Sequence, residues 1–176
     1  MSQGEEDREE RGGRGDGKPT HARTLALLVK GRNINEKSLL ATDYLNHFHE
    51  IVMILDLVPD MPECLEDAKE WTPKSYVEHF QESTFTDKDL ALFAYENSPE
   101  EYRVPFDDVV KQIHQIIEDG LKDVKRVVKT GDDALIRHVT AAISQKLQRF
   151  IGVASAIIHG DARTMDQAEI DSILDT

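Results

Sequence analysis

Seven histidines are spread along the chain, at positions 21, 47, 49, 79, 114, 138 and 159. Two of them stand at helical spacing from carboxylates. Asp43, His47 and Glu50 lie at i, i+4 and i+7, one face of a helix, and His114 and Glu118 form a second i, i+4 pair. Imidazole with carboxylate suits zinc or non-haem iron, and helical bundles build metal sites from such pairs. The set falls short of a cage, because no Glu-x-x-His unit of the di-iron type is present and His47 and His49 point to opposite sides of a helix. Surface or hydrogen-bonded histidines are the expectation, and no metal or cofactor is assigned. Cys64 is the only cysteine, which excludes an intrachain disulfide and any multi-thiolate metal site. Flanked by Glu63 and by Leu65-Glu66-Asp67, it is a poor nucleophile, since negative neighbours disfavour a thiolate. The chain carries no Gly-x-Ser-x-Gly elbow, no P-loop and no Gly-x-Gly-x-x-Gly turn.

Composition narrows the partners. The 176 residues include 34 Asp and Glu against 21 Lys and Arg, a net charge of -13. Neutralising phosphates needs a basic surface, so nucleic acid is excluded as a partner. An anionic-lipid anchor is missing for the same reason. The strongest apolar run, Ile51 to Leu55, is broken by Asp56, far short of the ~20 residues that span a bilayer. No membrane partner is expected, and with no signal-peptide pattern the expected location is cytoplasmic.

The elements that must position any site read as helices throughout. Residues 1–23 mix charge, Gly and Pro with almost no apolar side chain, and a stretch of that kind cannot offset its ordering entropy. It reads as a disordered tail. Its Arg-Gly pieces hint at RNA, but five Lys and Arg against six Asp and Glu favour a solvated tail. A bundle domain follows over 24–160, then a linker and terminal helix over 161–176. Thr24 to Lys30 forms a short apolar segment stopped by Gly31. Asn33 or Asn35 can cap a helix running to Val58, with Leu40, Tyr44, Phe48, Ile51, Leu55 and Val58 on one stripe. Its second half is apolar nearly all round, which predicts burial on several sides. Shorter helices are expected over Glu63 to Glu70, from Pro73 to Gln81 with Thr72 as N-cap, and from Thr86 to Glu96. Trp71, Tyr76, Phe80, Phe85, Phe93 and Tyr95 are expected to pack these short helices over the bundle. Ser98-Pro99-Glu100-Glu101 signals another start, which Pro105 is expected to interrupt.

The strongest periodicity lies in the last third. Phe106, Val109, Val110, Ile113, Ile117, Leu121 and Val124 trace one stripe, and Ile136, Val139, Ile143, Leu147, Phe150, Ile151, Ala154 and Ile158 trace a second. Between them Gly131 suits a helix C-cap and Asp132 the next N-cap. So short a connection makes the helices an antiparallel hairpin. The fold class is all-α: an antiparallel helical bundle with a long C-terminal hairpin and short covering helices. The hairpin also offers a surface for a homodimer.

The last residues form a different kind of feature. Thr164 and Gln167 make a capping-box pair, and Ile170, Ile173 and Leu174 then share a face with Asp166, Glu169, Asp171 and Asp175 around it. A helix of two turns needs a partner surface to order it. The stretch Asp166 to Leu174 resembles the "Ser-Gln-x-Glu-Ile-Asp-x-Leu-Leu" peptide of the flagellar motor switch protein FliM, which binds the chemotaxis response regulator CheY. It also resembles the C-terminal CheY-binding helix of the CheZ phosphatases. Gln167, Glu169, Ile170, Asp171 and Leu174 match, Ile173 is a conservative change, and Asp166 replaces the usual Ser. The resemblance covers about nine residues. It implies that Ile170, Ile173 and Leu174 fill an apolar groove on a CheY-like regulator while Glu169 and Asp171 meet lysines at its rim.

Two further stretches are similar to families that act on the same kind of partner. CheZ proteins carry an Asp and a Gln one turn apart on a helical hairpin, the Gln orienting water at the regulator's phosphoaspartate and the Asp engaging a lysine. Asp108 and Gln112, after Phe106, have the matching spacing, and an amide aimed at water is sensible for a reaction governed by positioning. The flanking Gln-Asp and Thr-Gly-Gln features of that family are absent. His138, with Ala142, Ser144 and Leu147 at similar offsets, resembles the site of histidine phosphotransfer domains, without their downstream Lys and Gly. The expected function is signalling through a CheY-like response regulator, with phosphatase action by Asp108 and Gln112 as an added activity. The alternatives are a scaffolding bundle whose last helix packs internally, and a phosphotransfer or metal-binding bundle.

Overall fold

The computed structural model describes residues 18–161, with seven α-helices in that span. They are α1 (Lys18–Val29), α2 (Leu45–Leu57), α3 (Cys64–Glu70), α4 (Tyr76–Glu82), α5 (Lys88–Glu96), α6 (Glu100–Val128) and α7 (Asp133–Ile158), with a 3-10 turn over Thr42–Tyr44 before α2. The only strand-like pairing among the described residues is an isolated bridge between Ile34 and Ala41. The expected tail over 1–23 is corrected at its end, since residues 18–23 belong to α1. The rest of that stretch, and the residues of the expected terminal helix after Asp161, lie outside the described residues.

The hairpin of α6 and α7 is the frame. Gly131 adopts φ +70, and the Asp132 side chain accepts from the Leu135 N–H at 3.0 Å, the stop-and-start chemistry its sequence predicts. Pro105 does not interrupt α6. It is the sixth residue of the helix, where the carbonyl it deprives belongs to exposed Glu101 and can turn to water. Along the hairpin, the side chains of Phe106, Ile113, Ile117, Leu147, Phe150 and Ile157 are almost wholly buried. Midway, Gly120 lets the two helices approach so closely that a Cβ there would stand 2.8 Å from Ile143 Cγ2.

α2 lies along this hairpin, antiparallel to α7. Ser38, before α2, donates to the Ile158 carbonyl; Ser144 donates to Asp56 Oδ1 at 2.5 Å; Arg137 donates to Asp60 Oδ1 at 2.7 Å. The expected long helix from Asn33 or Asn35 is corrected, because the α-helix starts only at Leu45. Asn35 Oδ1 instead accepts from the backbone N–H groups of Lys37 and Ser38, at 2.8 and 3.0 Å. This Asx turn competes with a helix start, and it folds Leu39, Leu40 and Ala41 into the core. Leu39 is held at φ +60 to do so, a conformation unfavourable for a branched side chain and maintained by the surrounding packing.

The N-cap of α4 is also corrected. Ser75, not Thr72, forms a full capping box with Glu78, and Thr72 to Lys74 stay outside the helix. Both backbone groups of Lys74 are already committed: its N–H donates to His47 Nε2 at 3.0 Å and its carbonyl accepts from Tyr44 Oη at 2.7 Å. Tyr76 then buries against Tyr44 and Phe106, and Phe80 against Tyr76 and Phe85. Phe93 departs from its expected packing role and is 51% exposed. The second half of α2 departs too: Ile51, Val52, Leu55 and Val58 are buried, whereas Met53 and Leu57 face outward.

Candidate functional site

Asp43, His47 and Glu50, which share helical spacing in the sequence, do not converge in the structure. Asp43 falls in the 3-10 turn, where its Oδ2 lies 3.0 Å from His79 Nε2 on α4. His47 is buried, its ring stacked on Trp71 with centroids 4.5 Å apart, and its Nε2 is occupied by the Lys74 N–H. Glu50 is exposed at the edge of two neighbouring grooves. Burial, with like-charge pressure from His79, His114 and Lys74, pushes the His47 pKa down to about 4. That imidazole is neutral at pH 7 and acts as a hydrogen-bond acceptor inside an aromatic cluster. His114 and Glu118 also part company, because His114 turns toward Phe48 while Glu118 pairs with Lys122 at 3.0 Å. Among the described residues no group of three or more His, Cys, Asp or Glu is placed to hold a metal ion.

The signalling candidates on the hairpin are better presented. Asp108 is exposed on α6 and pairs with Lys111 at 3.3 Å. Gln112, one turn on, is half-buried, and its Oε1 is shielded from solvent with no hydrogen-bond partner. The two side chains therefore differ in direction: the carboxylate faces out and the amide oxygen faces in. His138 is exposed on α7, whereas Ser144 is buried and committed to Asp56. Gln167, Glu169, Ile170, Asp171, Ile173 and Leu174 lie outside the described residues.

Beside Asp108, the structure gathers residues that sequence spacing did not group. A groove of about 470 Å³ between α4, α5 and α6 is lined by Tyr76, Glu78, Tyr95, Asp107, Lys111 and His114, among others. Tyr76 and Tyr95 stack there with centroids 4.5 Å apart, and Tyr95 Oη donates to Asp107 Oδ1 at 2.9 Å. Burial raises the Asp107 carboxyl above its ordinary range, and burial lowers the His114 imidazole, whose Nε2 is shielded and unpartnered. Tyr95 and Asp107 are 12 residues apart and Asp43 and His79 are 36 apart, so no single-helix spacing could have paired them. The signal available was the aromatic content of the short helices.

No helix among the described residues is long and apolar enough to cross a membrane. No protein-family model, curated protein or solved structure matches the chain.

Proposed function

We propose that this chain is a helical signalling adaptor that docks a CheY-like response regulator through its C-terminal segment. The observation that carries the reading is the order of residues there, with Gln167, Glu169 and Asp171 set around Ile170, Ile173 and Leu174. Apolar anchors flanked by carboxylates suit a groove with lysines at its rim. The geometry of the bundle supports a defined point of departure for that segment. Lys37 Nζ donates to the Gly160 carbonyl at 2.8 Å and Ser38 Oγ to the Ile158 carbonyl, tying down the end of α7. Catalysis by Asp108 and Gln112 receives less support, because an amide that positions water must face the partner and Gln112 Oε1 is turned inward.

The test is a titration of an activated CheY-type receiver domain against the full chain, the Ile170→Ala/Leu174→Ala variant and a chain ending at Gly160. Micromolar binding to the full chain, lost in both altered proteins, is the expected result. Equal affinity for all three, or no binding to any, refutes the proposal. Following phosphate loss from the receiver with Gln112→Ala separates adaptor from catalyst. An adaptor leaves the rate unchanged, and a rate that Gln112→Ala abolishes assigns the phosphatase role.

A further inference from the structure

A second surface lies on the outer side of α2, away from the C-terminal segment. Met53, Leu57 and Met61 recur at four-residue steps and are 59%, 39% and 40% exposed. Met61 follows the helix, but its N–H still donates to the Leu57 carbonyl at 2.9 Å, so it continues the same turn. From Met53 to Met61 the stripe covers about 12 Å at 1.5 Å per residue. Beside it, α2 and α3 enclose a groove of about 410 Å³ lined by Glu50, Met53, Ile54, Asp67, Glu70 and Trp71. Met53, Ile54 and Trp71 supply its apolar lining, and the indole is fixed, since Trp71 Nε1 donates to the His47 carbonyl at 3.1 Å and the ring stacks on His47.

The rim has one sign. Glu50, Asp67 and Glu70 have no cation within 4 Å among the described residues. The nearby lysines are committed elsewhere, Lys69 to Glu66 at 2.5 Å and Lys74 to Glu82 at 2.6 Å. Three carboxylates without an ion pair within 4 Å, beside exposed methionines and leucine and the half-buried Trp71, call for a partner that brings both cations and apolar side chains. Unbranched methionines adapt to varied apolar shapes. The chain's own ends do not supply that partner. The apolar residues near the C-terminus come with Asp166, Glu169, Asp171 and Asp175, which the rim repels, and residues 1–17 carry almost no apolar side chain.

We propose that the α2–α3 groove docks a basic amphipathic helix of a partner protein. The apolar face of that helix packs on Met53, Ile54, Leu57 and Trp71, and its Lys or Arg side chains pair with Glu50, Asp67 and Glu70. This is a helix-in-groove contact with an opposite charge pattern to the acidic C-terminal segment, so it stands independently of the regulator proposal.

Trp71 is the only tryptophan in the chain, which makes its emission a reporter confined to this groove. The probe is a Leu/Lys peptide of about 18 residues with helical periodicity, long enough to hold a helix. It is titrated into the full chain beside a Lys/Ser peptide of equal charge and a Leu/Glu peptide. Saturable change in Trp71 emission with the Leu/Lys peptide alone is the expected result. Met53→Ser/Leu57→Ser weakens it by about tenfold, and Asp67→Asn/Glu70→Gln weakens it and flattens its salt dependence. Equal response to the Lys/Ser peptide, or unchanged affinity in both variants, reduces the effect to diffuse attraction and overturns the proposal. Binding by calorimetry with no change in Trp71 emission places the peptide elsewhere and overturns it as well. Melting curves of both variants verify the fold, which exposed substitutions leave intact.

Discussion

Lowering the pH from 7 to 5 should destabilise this protein through one residue above all, His47. Its imidazole is buried, stacked on Trp71 and used as an acceptor by the Lys74 N–H, and its pKa is held down to about 4. In the unfolded chain the same group titrates near about 6.5. Above that value both states are neutral and the residue contributes no pH dependence. As pH falls below it, the unfolded state takes up a proton that the folded state refuses, so stability drops. The loss is about 2 kcal/mol by pH 5 and about 3 kcal/mol by pH 4, where the folded imidazole also begins to protonate. His114, lowered by burial as well, acts in the same direction. Urea unfolding followed by Trp71 emission measures this, a 2 kcal/mol change moving the midpoint by about 1 M for a domain of this size. His47→Gln keeps a side-chain acceptor near Lys74 but cannot titrate. Its midpoint should therefore change much less between pH 7 and pH 5 than that of the parent. Parallel pH profiles for the two proteins would refute the assignment of a buried neutral imidazole.

Substitutions at three further positions, one with a compensating partner, probe the frame. Gly120→Ala gains about 1 kcal/mol of helix propensity but forces a Cβ to within 2.8 Å of Ile143 Cγ2. Ile143 is held at χ1 by its branching, so overpacking of about 1–3 kcal/mol prevails and the melting temperature falls by a few degrees. Ile143→Ala in that background should recover part of the loss, and strict additivity in the double-mutant cycle would show that the two residues do not clash. Ser75→Ala removes the capping box of α4 and should cost about 1 kcal/mol in chemical denaturation. Gly160→Ala meets both a φ of +94 and Lys37 Cδ at 2.8 Å. It should cost about 1–2 kcal/mol and shorten hydrogen-exchange protection in the last turn of α7.

The hairpin was legible because its signals are local. Asp132 and Gly131 stop and start helices by their own side-chain and backbone chemistry, and the apolar stripes on either side repeat at helical period over more than twenty residues. The region before α2 was not legible, because Asn35 is equally good as a helix cap and as an Asx turn. What decided between them was the demand that Leu39, Leu40 and Ala41 enter a core built by residues far along the chain. The same holds for the start of α4, where His47 and Tyr44 claim the backbone of Lys74 from about thirty residues away. At the candidate site, spacing set His47 and His114 beside carboxylates, whereas His47 accepts from the Lys74 N–H, His114 Nε2 has no hydrogen-bond partner, and Asp43 turns to His79. Partners across helices are set by how the elements dock, and periodicity within one helix carries no record of that. The outward stripe of Met53 and Leu57 was hidden by its apolar character, since hydropathy alone cannot distinguish a core residue from one awaiting a partner.

Lys37 on the Gly160 carbonyl and Ser38 on the Ile158 carbonyl clasp the loop before α2 to the end of α7. Ser38 and Ile158 are 120 residues apart in sequence, so this clasp closes only once both ends of the described domain have folded onto each other. Unfolding at either end would release it.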